Sequence, residues 1–401
     1  MKFNQWTVAL AALGVVSLAS AARAEEQVNS VLTAVSSTTL SGYVDTSAQW
    51  NLGTGNANLP PYRFGGASKA DGFNLNVVQL RIEKALDEDQ WSAGYRADLW
   101  AGPDANTLGT SSLFGNGSMA YPGDFAIRQA YVALRMPVGN GLDWKIGAFD
   151  SILGYESVES PNNPNYTRSW GHSIEPLTHT GVLASYRFSE LVSFSGGVAN
   201  TYSQNINDRA FAPVQDDNPK AESYKTYMGS MALTAPESTG FLAGSTLYAG
   251  VVNGFSASYA DNLTSWYAGA TMATPVTGLR LGAAFDLVNE HDNSGETWAL
   301  AGYASLQATE KLSLHLRGDY LRDRGDQKYF VAYEGGPATN PDKVLSVTAT
   351  AQYDLWKNVI SRLELRWDHD LTGNGMYGGE TEFAGDMVNQ WMVAANVIYR
   401  F

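Results

Sequence analysis

Residues 390–401 read QWMVAANVIYRF, and their alternation decides how the rest of the chain is to be read. Successive side chains of an extended strand point to opposite faces. One face here would carry Trp391, Val393, Ala395, Val397, Tyr399 and Phe401; the other would carry Gln390, Met392, Ala394, Asn396, Ile398 and Arg400. The first set is wholly apolar, with aromatic rings at both ends. An apolar stripe bounded by rings suits a strand that crosses a bilayer between two interfacial girdles, its polar side turned towards water. The same parity recurs where Leu312, Leu314 and Leu316 alternate with Ser313, His315 and Arg317, and where Leu363, Leu365 and Trp367 alternate with Arg362, Glu364 and Arg366.

Worked outward from that end, the chain divides into sixteen segments of period near two: 38–50, 73–85, 91–101, 125–136, 142–149, 178–188, 192–202, 223–234, 242–253, 263–273, 279–288, 297–307, 312–321, 344–356, 359–368 and 388–401. Short links (86–90, 137–141, 189–191, 235–241, 275–278, 308–311 and 357–358) alternate with longer ones. An even strand number with that alternation predicts an all-β fold: a transmembrane antiparallel up-and-down β-barrel of about 16 strands, with short periplasmic turns, long extracellular loops and both termini on the short-turn side. A soluble sandwich has no reason to alternate its links in this way, and the fixed-period repeat of a propeller is missing. Two segments break phase, at Asn76-Val77-Val78-Gln79 and at Ile127-Arg128-Gln129-Ala130, which predicts bulges or shifted registers there.

The N-terminal stretch has Lys2 before an apolar run and the small residues Ala22-Arg23-Ala24, the pattern of a secretory signal over 1–24. The expected organisation is that signal, a short periplasmic segment over 25–37, and the barrel over 38–401. No later stretch reaches the roughly 18 to 20 apolar residues of a membrane helix. Cysteine is absent, charged residues make up 16%, and the net charge is −14. Soluble domains carry about a quarter charged residues, and so acidic a chain is an unlikely nucleic-acid binder, because phosphate recognition needs a basic patch. The long loops hold most of the acidic excess, which suits divalent cations bridging to anionic lipid headgroups or simply keeps the outer face hydrated.

With apolar residues turned outward, the inward face becomes charged. The expected pore wall is Arg81, Arg96, Lys145, Arg187, Arg280, Arg317, Arg362, Arg366 and Arg400, interleaved with Glu83, Asp98, Asp286, Asp319, Glu364 and Asp368. These charges either select solutes or merely solvate a wet lumen. No metal-ligand spacing, nucleophile elbow or phosphate loop accompanies the five histidines, so neither cofactor nor metal is expected. Two other classes stay in view: an outer-membrane enzyme acting on lipids, with His369 as its lipid-side candidate, and a non-conducting barrel that binds a ligand or partner.

Residues 127–188 resemble the OmpL-like putative β-barrel porins of Gram-negative bacteria, most densely in RQAYV, VGNGLD, ESPNNPNYTRS and IEPLTHTGVLASY. The terminal Tyr399-Arg400-Phe401 resembles the signature that the barrel assembly machinery reads in such proteins, with Phe401 as its key residue. The resemblance implies an integral outer-membrane pore, a passive diffusion channel for small hydrophilic solutes or ions, set in lipid and lipopolysaccharide. A homotrimer stays open, since no stretch marks an interface. In general porins of this strand number the third loop folds inward, and the resemblance implies the same for 151–176. Its Glu156, Glu159, Tyr166, Arg168, Trp170 and Glu175 would then form the constriction, with Glu156 and Glu159 facing Arg81, Arg96, Arg362 or Arg366 and with Tyr155 packed nearby. Pro161, Pro164 and Pro176 would stiffen the loop, and Asn162, Asn163 and Asn165 would close its turns. The plainer alternative lays the loop over the mouth with its charges in water.

Overall fold

The structure, a computed structural model, describes residues 31–32, 38–53, 55–65, 69–87, 91–108, 110, 124–209, 224–256, 261–291, 295–324, 343–380 and 385–401. The expected export signal over 1–24 lies outside them, as does the 25–37 segment apart from 31–32.

Sixteen antiparallel strands run in chain order: β1 (Thr39–Leu52), β2 (Gly72–Lys84), β3 (Ser92–Ala101), β4 (Phe125–Met136), β5 (Leu142–Asp150), β6 (Thr178–Arg187), β7 (Val192–Ala199), β8 (Thr226–Thr234), β9 (Thr246–Ser256), β10 (Asp261–Ala273), β11 (Leu279–Glu290), β12 (Glu296–Gln307), β13 (Leu312–Asp323), β14 (Lys343–Trp356), β15 (Val359–Asp370) and β16 (Asn389–Arg400). Each pairs with its neighbours in sequence, and β16 pairs with β1 from Trp391↔Leu52 to Arg400↔Tyr43. The sheet therefore closes into a barrel with no free edge. A two-residue strand, Val31–Leu32, adds to β1 at its start.

The last strand shows why these residues fold so. Along β16 the residues expected outward are exposed or half-exposed, and Gln390, Met392, Ala394, Asn396 and Ile398 are buried. At the closing seam the Phe401 backbone exchanges hydrogen bonds of 2.9 and 3.0 Å with Gly42. The Phe401 ring lies 2.8 Å from where a Gly42 Cβ would stand, so β1 needs glycine at that close approach. Outside, rings gather in pairs such as Trp50 with Phe73 and Trp367 with Trp391, centroids 6.0 and 5.9 Å apart.

The two phase breaks are bulges. Asp45 pairs with Val77 but Thr46 with Leu75, leaving Asn76 unpaired in the ladder. Asp98 pairs with Gln129 but Leu99 with Ile127, leaving Arg128 as the extra residue. Each bulge lets two consecutive residues turn inward: Asn76 with Val77, and Arg128 with Gln129, all buried. Elsewhere the structure differs from the expected boundaries at β7, which stops at Ala199, and at β9, which starts at Thr246 because Glu237–Leu242 form a 3₁₀ turn around Gly240.

Packing is inverted relative to a soluble globule. The largest fully buried side chains include Trp100 and Trp170 together with Arg128, Arg317 and Arg366, all inside the barrel. They lie between the wall and chain segments that enter the lumen. Those segments include α1 (Pro103–Leu108), loop 151–176 with its short helix α2 (Trp170–Ile174), and residues 55–65 and 371–380.

Candidate pore constriction

Loop 151–176 leaves β5 and crosses the lumen. Its first residues meet the wall by shape. Leu153 packs with Leu183, Met228 and Val252, and its Cδ2 lies 2.6 Å from where a Gly250 Cβ would be. The Tyr155 ring stacks on Tyr303 with centroids 4.0 Å apart, and its hydroxyl occupies the space that a Gly282 side chain would fill.

The middle of the loop is fastened by charge. Glu159 sits among three arginines: it pairs with Arg81, with Arg96 at 3.1 Å and with Arg128 at 3.3 Å. Asp98 lies beneath, bonded to Arg81 at 2.9 Å, to Arg96 at 2.7 Å and to Arg128 at 3.1 Å, and Asp150 takes the other end of Arg128 at 2.6 Å. Three cations thus face three carboxylates in a largely buried cluster. In that surrounding, removing one partner leaves an uncompensated buried charge. Burial alone would raise the Glu159 carboxyl, but Arg81, Arg128 and Arg96 outweigh it and hold it below the usual range.

Glu156 meets a different arginine. Arg317 of β13 donates to it at 2.9 Å and to the Thr167 and Arg168 carbonyls at 2.7 and 3.1 Å. Arg362 of β15 donates to the carbonyls of Ser160 and Asn163, and Arg366 to that of Arg168. Glu364, between them, accepts the Tyr166 and Thr167 amides at 2.6 and 2.9 Å. Of the expected pairings, Glu159 with Arg81 and Arg96 is present. Glu156 pairs with Arg317 instead, and Arg362 and Arg366 bind loop backbone. The reason is that a loop folded against the wall offers carbonyls as freely as carboxylates, and arginine donates to both.

The remaining loop residues complete the fit. The Tyr166 hydroxyl bonds Ser47 of β1 at 3.0 Å, and the Arg168 guanidinium donates to Ser157, Tyr166 and Val158 carbonyls of its own loop. Trp170 donates its backbone N–H to Asp319 and its indole N–H to Ser346 at 2.6 Å. Ser169 caps α2, accepting the His172 amide at 3.2 Å. Arg63 donates to the carbonyls of His172, Ser173 and Glu175 at the other end of the helix. Glu175 bonds His172 at 3.2 Å and lies against Asp286, so burial and that acidic neighbour push its carboxyl well above the usual range. Burial, followed by Arg63, pushes His172 well below the usual imidazole value.

The expected wall residues therefore divide. Arg81 and Arg96 remain at the edge of an open cavity, whereas Arg317, Arg362 and Arg366 are covered by the loop. Arg280 and Arg400 line the cavity near the short turns, Lys145 lies over the Tyr131 ring at 5.1 Å, and Arg187 folds onto the Ser189 carbonyl of its own turn. His369 meets Asn389 and stacks on Trp367. Ser305 and His315, 2.9 Å apart, open to the cavity and not to lipid. Arg128 was missed because simple alternation leaves its facing undetermined across the bulge; the phase break itself was its signal. Arg63, in a loop without a period, left none. The cavity holds 1510 Å³ between the loop and the short-turn end.

Comparison with known proteins agrees with this architecture. A family model described as "Putative beta-barrel porin-2, OmpL-like" matches residues 37–401, and the chain belongs to that family. No curated protein matches it in sequence. Among solved structures, it is similar to the outer membrane channel DcaP of Acinetobacter baumannii, with a TM-score of 0.56 at 13% identity over 91% of this chain and 97% of that one. An anion-selective porin from Comamonas acidovorans gives 0.56 at 14%, over 91% and 99%. OmpF of Salmonella typhi, in complex with daunomycin, gives 0.56 at 15%, over 91% and 97%. The chain is an integral outer-membrane β-barrel of the porin kind.

Proposed function

From that family membership we propose that the chain is a passive diffusion channel for small hydrophilic solutes or ions, narrowed where loop 151–176 crosses the lumen. One observation carries this reading: the same loop is bonded to Arg81 and Arg96 on one part of the wall and to Arg317 and Glu364 on another, so its backbone bridges the opening. A loop resting over the mouth would leave those wall charges to water. Export through a signal at 1–24, assembly through the seam residue Phe401, contact with lipopolysaccharide and a homotrimeric state belong to the same proposal.

Single-channel recording of the full chain in a planar bilayer tests it, alongside solute flux into liposomes. Discrete conductance steps and solute entry are expected. Folded protein that gives neither would sink the channel reading and return attention to a ligand-binding barrel. Release of fatty acid from labelled phospholipid would instead favour the enzyme.

A further inference from the structure

The channel reading leaves open what passes, and the wall itself bears on that. Strands β7, β8 and β9, and β10 beyond its first residue, contain no Asp, Glu, Lys, Arg or His. Their inward positions are small, hydroxylated or apolar: Met228, Val252 and Leu263 are buried in the cluster that holds Leu153 of the loop, and the rest are mostly serine, threonine, tyrosine, glycine and alanine. Ser195 bonds Ser185 at 2.8 Å, Tyr202 just beyond β7 bonds Ser265 at 2.5 Å, and Gly197, Ser230, Gly250 and Gly269 alternate between them. Opposite, nearly every strand from β13 round to β5 carries inward charge, and the loop covers most of it. Glu159, with Asp98 and Asp150, balances Arg81, Arg96 and Arg128, and Glu156, with Asp319, pairs Arg317, while Arg362 and Arg366 are occupied by backbone carbonyls.

What remains open to the cavity is balanced. Its lining has six basic and six acidic side chains, and the uncharged wall contributes Ser230, Tyr248, Tyr267 and Thr271. Tyr155, on the loop, presents its ring from the other side. A cavity bounded by hydroxyls, phenols and charges of both signs has donors and acceptors for hydroxyl groups in both directions and no wall of a single sign to concentrate one ion.

We propose that the cavity beneath the loop, to which β8–β10 contribute only uncharged side chains, favours uncharged polyhydroxylated solutes over ions of either sign. The inference rests on the channel reading and narrows it to a substrate class. Arginines that the sequence marks as a selective wall act here as fasteners for the loop.

Two measurements on the folded full chain test this. Under a salt gradient, a wall of one charge sign would favour its counter-ion by about tenfold or more; here the ratio of potassium to chloride permeability should stay within about threefold of unity. In liposome swelling, glucose should enter faster than both glucuronate and glucosamine, which share its ring and differ in charge. Ser230→Lys and Ser230→Asp should move the reversal potential in opposite directions, and Thr271→Lys should move it as Ser230→Lys does. A strong preference for one ion in the unmodified protein, faster entry of a charged sugar, or no response to charges at Ser230 and Thr271 would each overturn the proposal while leaving the channel intact. Complete absence of conductance and flux would overturn both.

Discussion

The two sides of the barrel hold the same loop by different physics. From β13 round to β5 the wall grips it with buried arginines and carboxylates grouped around Glu159 and around Arg317, whereas around β9 to β12 contact is made by Leu153 and Tyr155 fitting over Gly250 and Gly282. The charged side supplies direction and specific partners. The second side supplies mainly shape, with the Glu175 contact to Asp286 as its acidic pair. Strong fastening and a cavity without a wall of one charge sign are therefore compatible in one lumen, because the ions that hold the loop are consumed in holding it.

The largest test of that contrast is deletion of 158–168. It removes Glu159 and the carbonyls that occupy Arg362 and Arg366. Single-channel conductance should rise sharply, and the reversal potential should move towards anions as the arginines become exposed; unchanged conductance would refute the constriction.

Glu159→Gln should have the next largest effect. It leaves Arg81, Arg96 and Arg128 with too few carboxylates, and losing one partner of a buried pair typically costs about 3–5 kcal/mol. Limited proteolysis should cut the loop far faster than in the parent, without loss of the barrel on heat-modifiability gels.

Acid should reproduce that change. A carboxyl whose folded value is depressed contributes stability that is present above its ordinary value, about 4.3 for glutamate, and that is lost as pH falls through the lowered value. Burial opposes ionisation of Glu159, but its arginines prevail, so the direction is set. Channel noise should grow on acidification below that ordinary value, and Glu159→Gln should be noisy already at neutral pH. Glu175 works in the opposite sense. Its raised carboxyl favours the folded loop most at low pH and loses that contribution as pH climbs through the raised value. Glu175→Gln should flatten the alkaline part of the profile.

On the side held by shape, Gly282→Ala should act least. The new methyl group meets the Tyr155 hydroxyl, and overpacking of that kind costs about 1–3 kcal/mol. A modest conductance change with unaltered ion preference is expected. An effect as large as that of Glu159→Gln would erase the distinction between the two sides.

Much of this was legible in the sequence, and for a definite reason. A bilayer imposes period two on every crossing strand, so parity in 390–401 assigned inside and outside before any contact was known. Phase breaks at Asn76 and Arg128 marked the bulges. The site was less legible. Arg81 and Arg96 were two of the four arginines open to Glu159 once the family resemblance turned the loop inward, but that Glu156 meets Arg317 was not foreseen, because a loop without a period has no facing to read.

The sequence by itself determined the strands, their order, the aromatic belts and the bare stretch from β7 to β10, since each depends on residues near one another along the chain or on the membrane that all of them share. Only the tertiary structure decided which arginines stay at the cavity and which are covered. That choice depends on where one aperiodic loop comes to rest, and it rests where its carbonyls and acids satisfy the most buried donors at once.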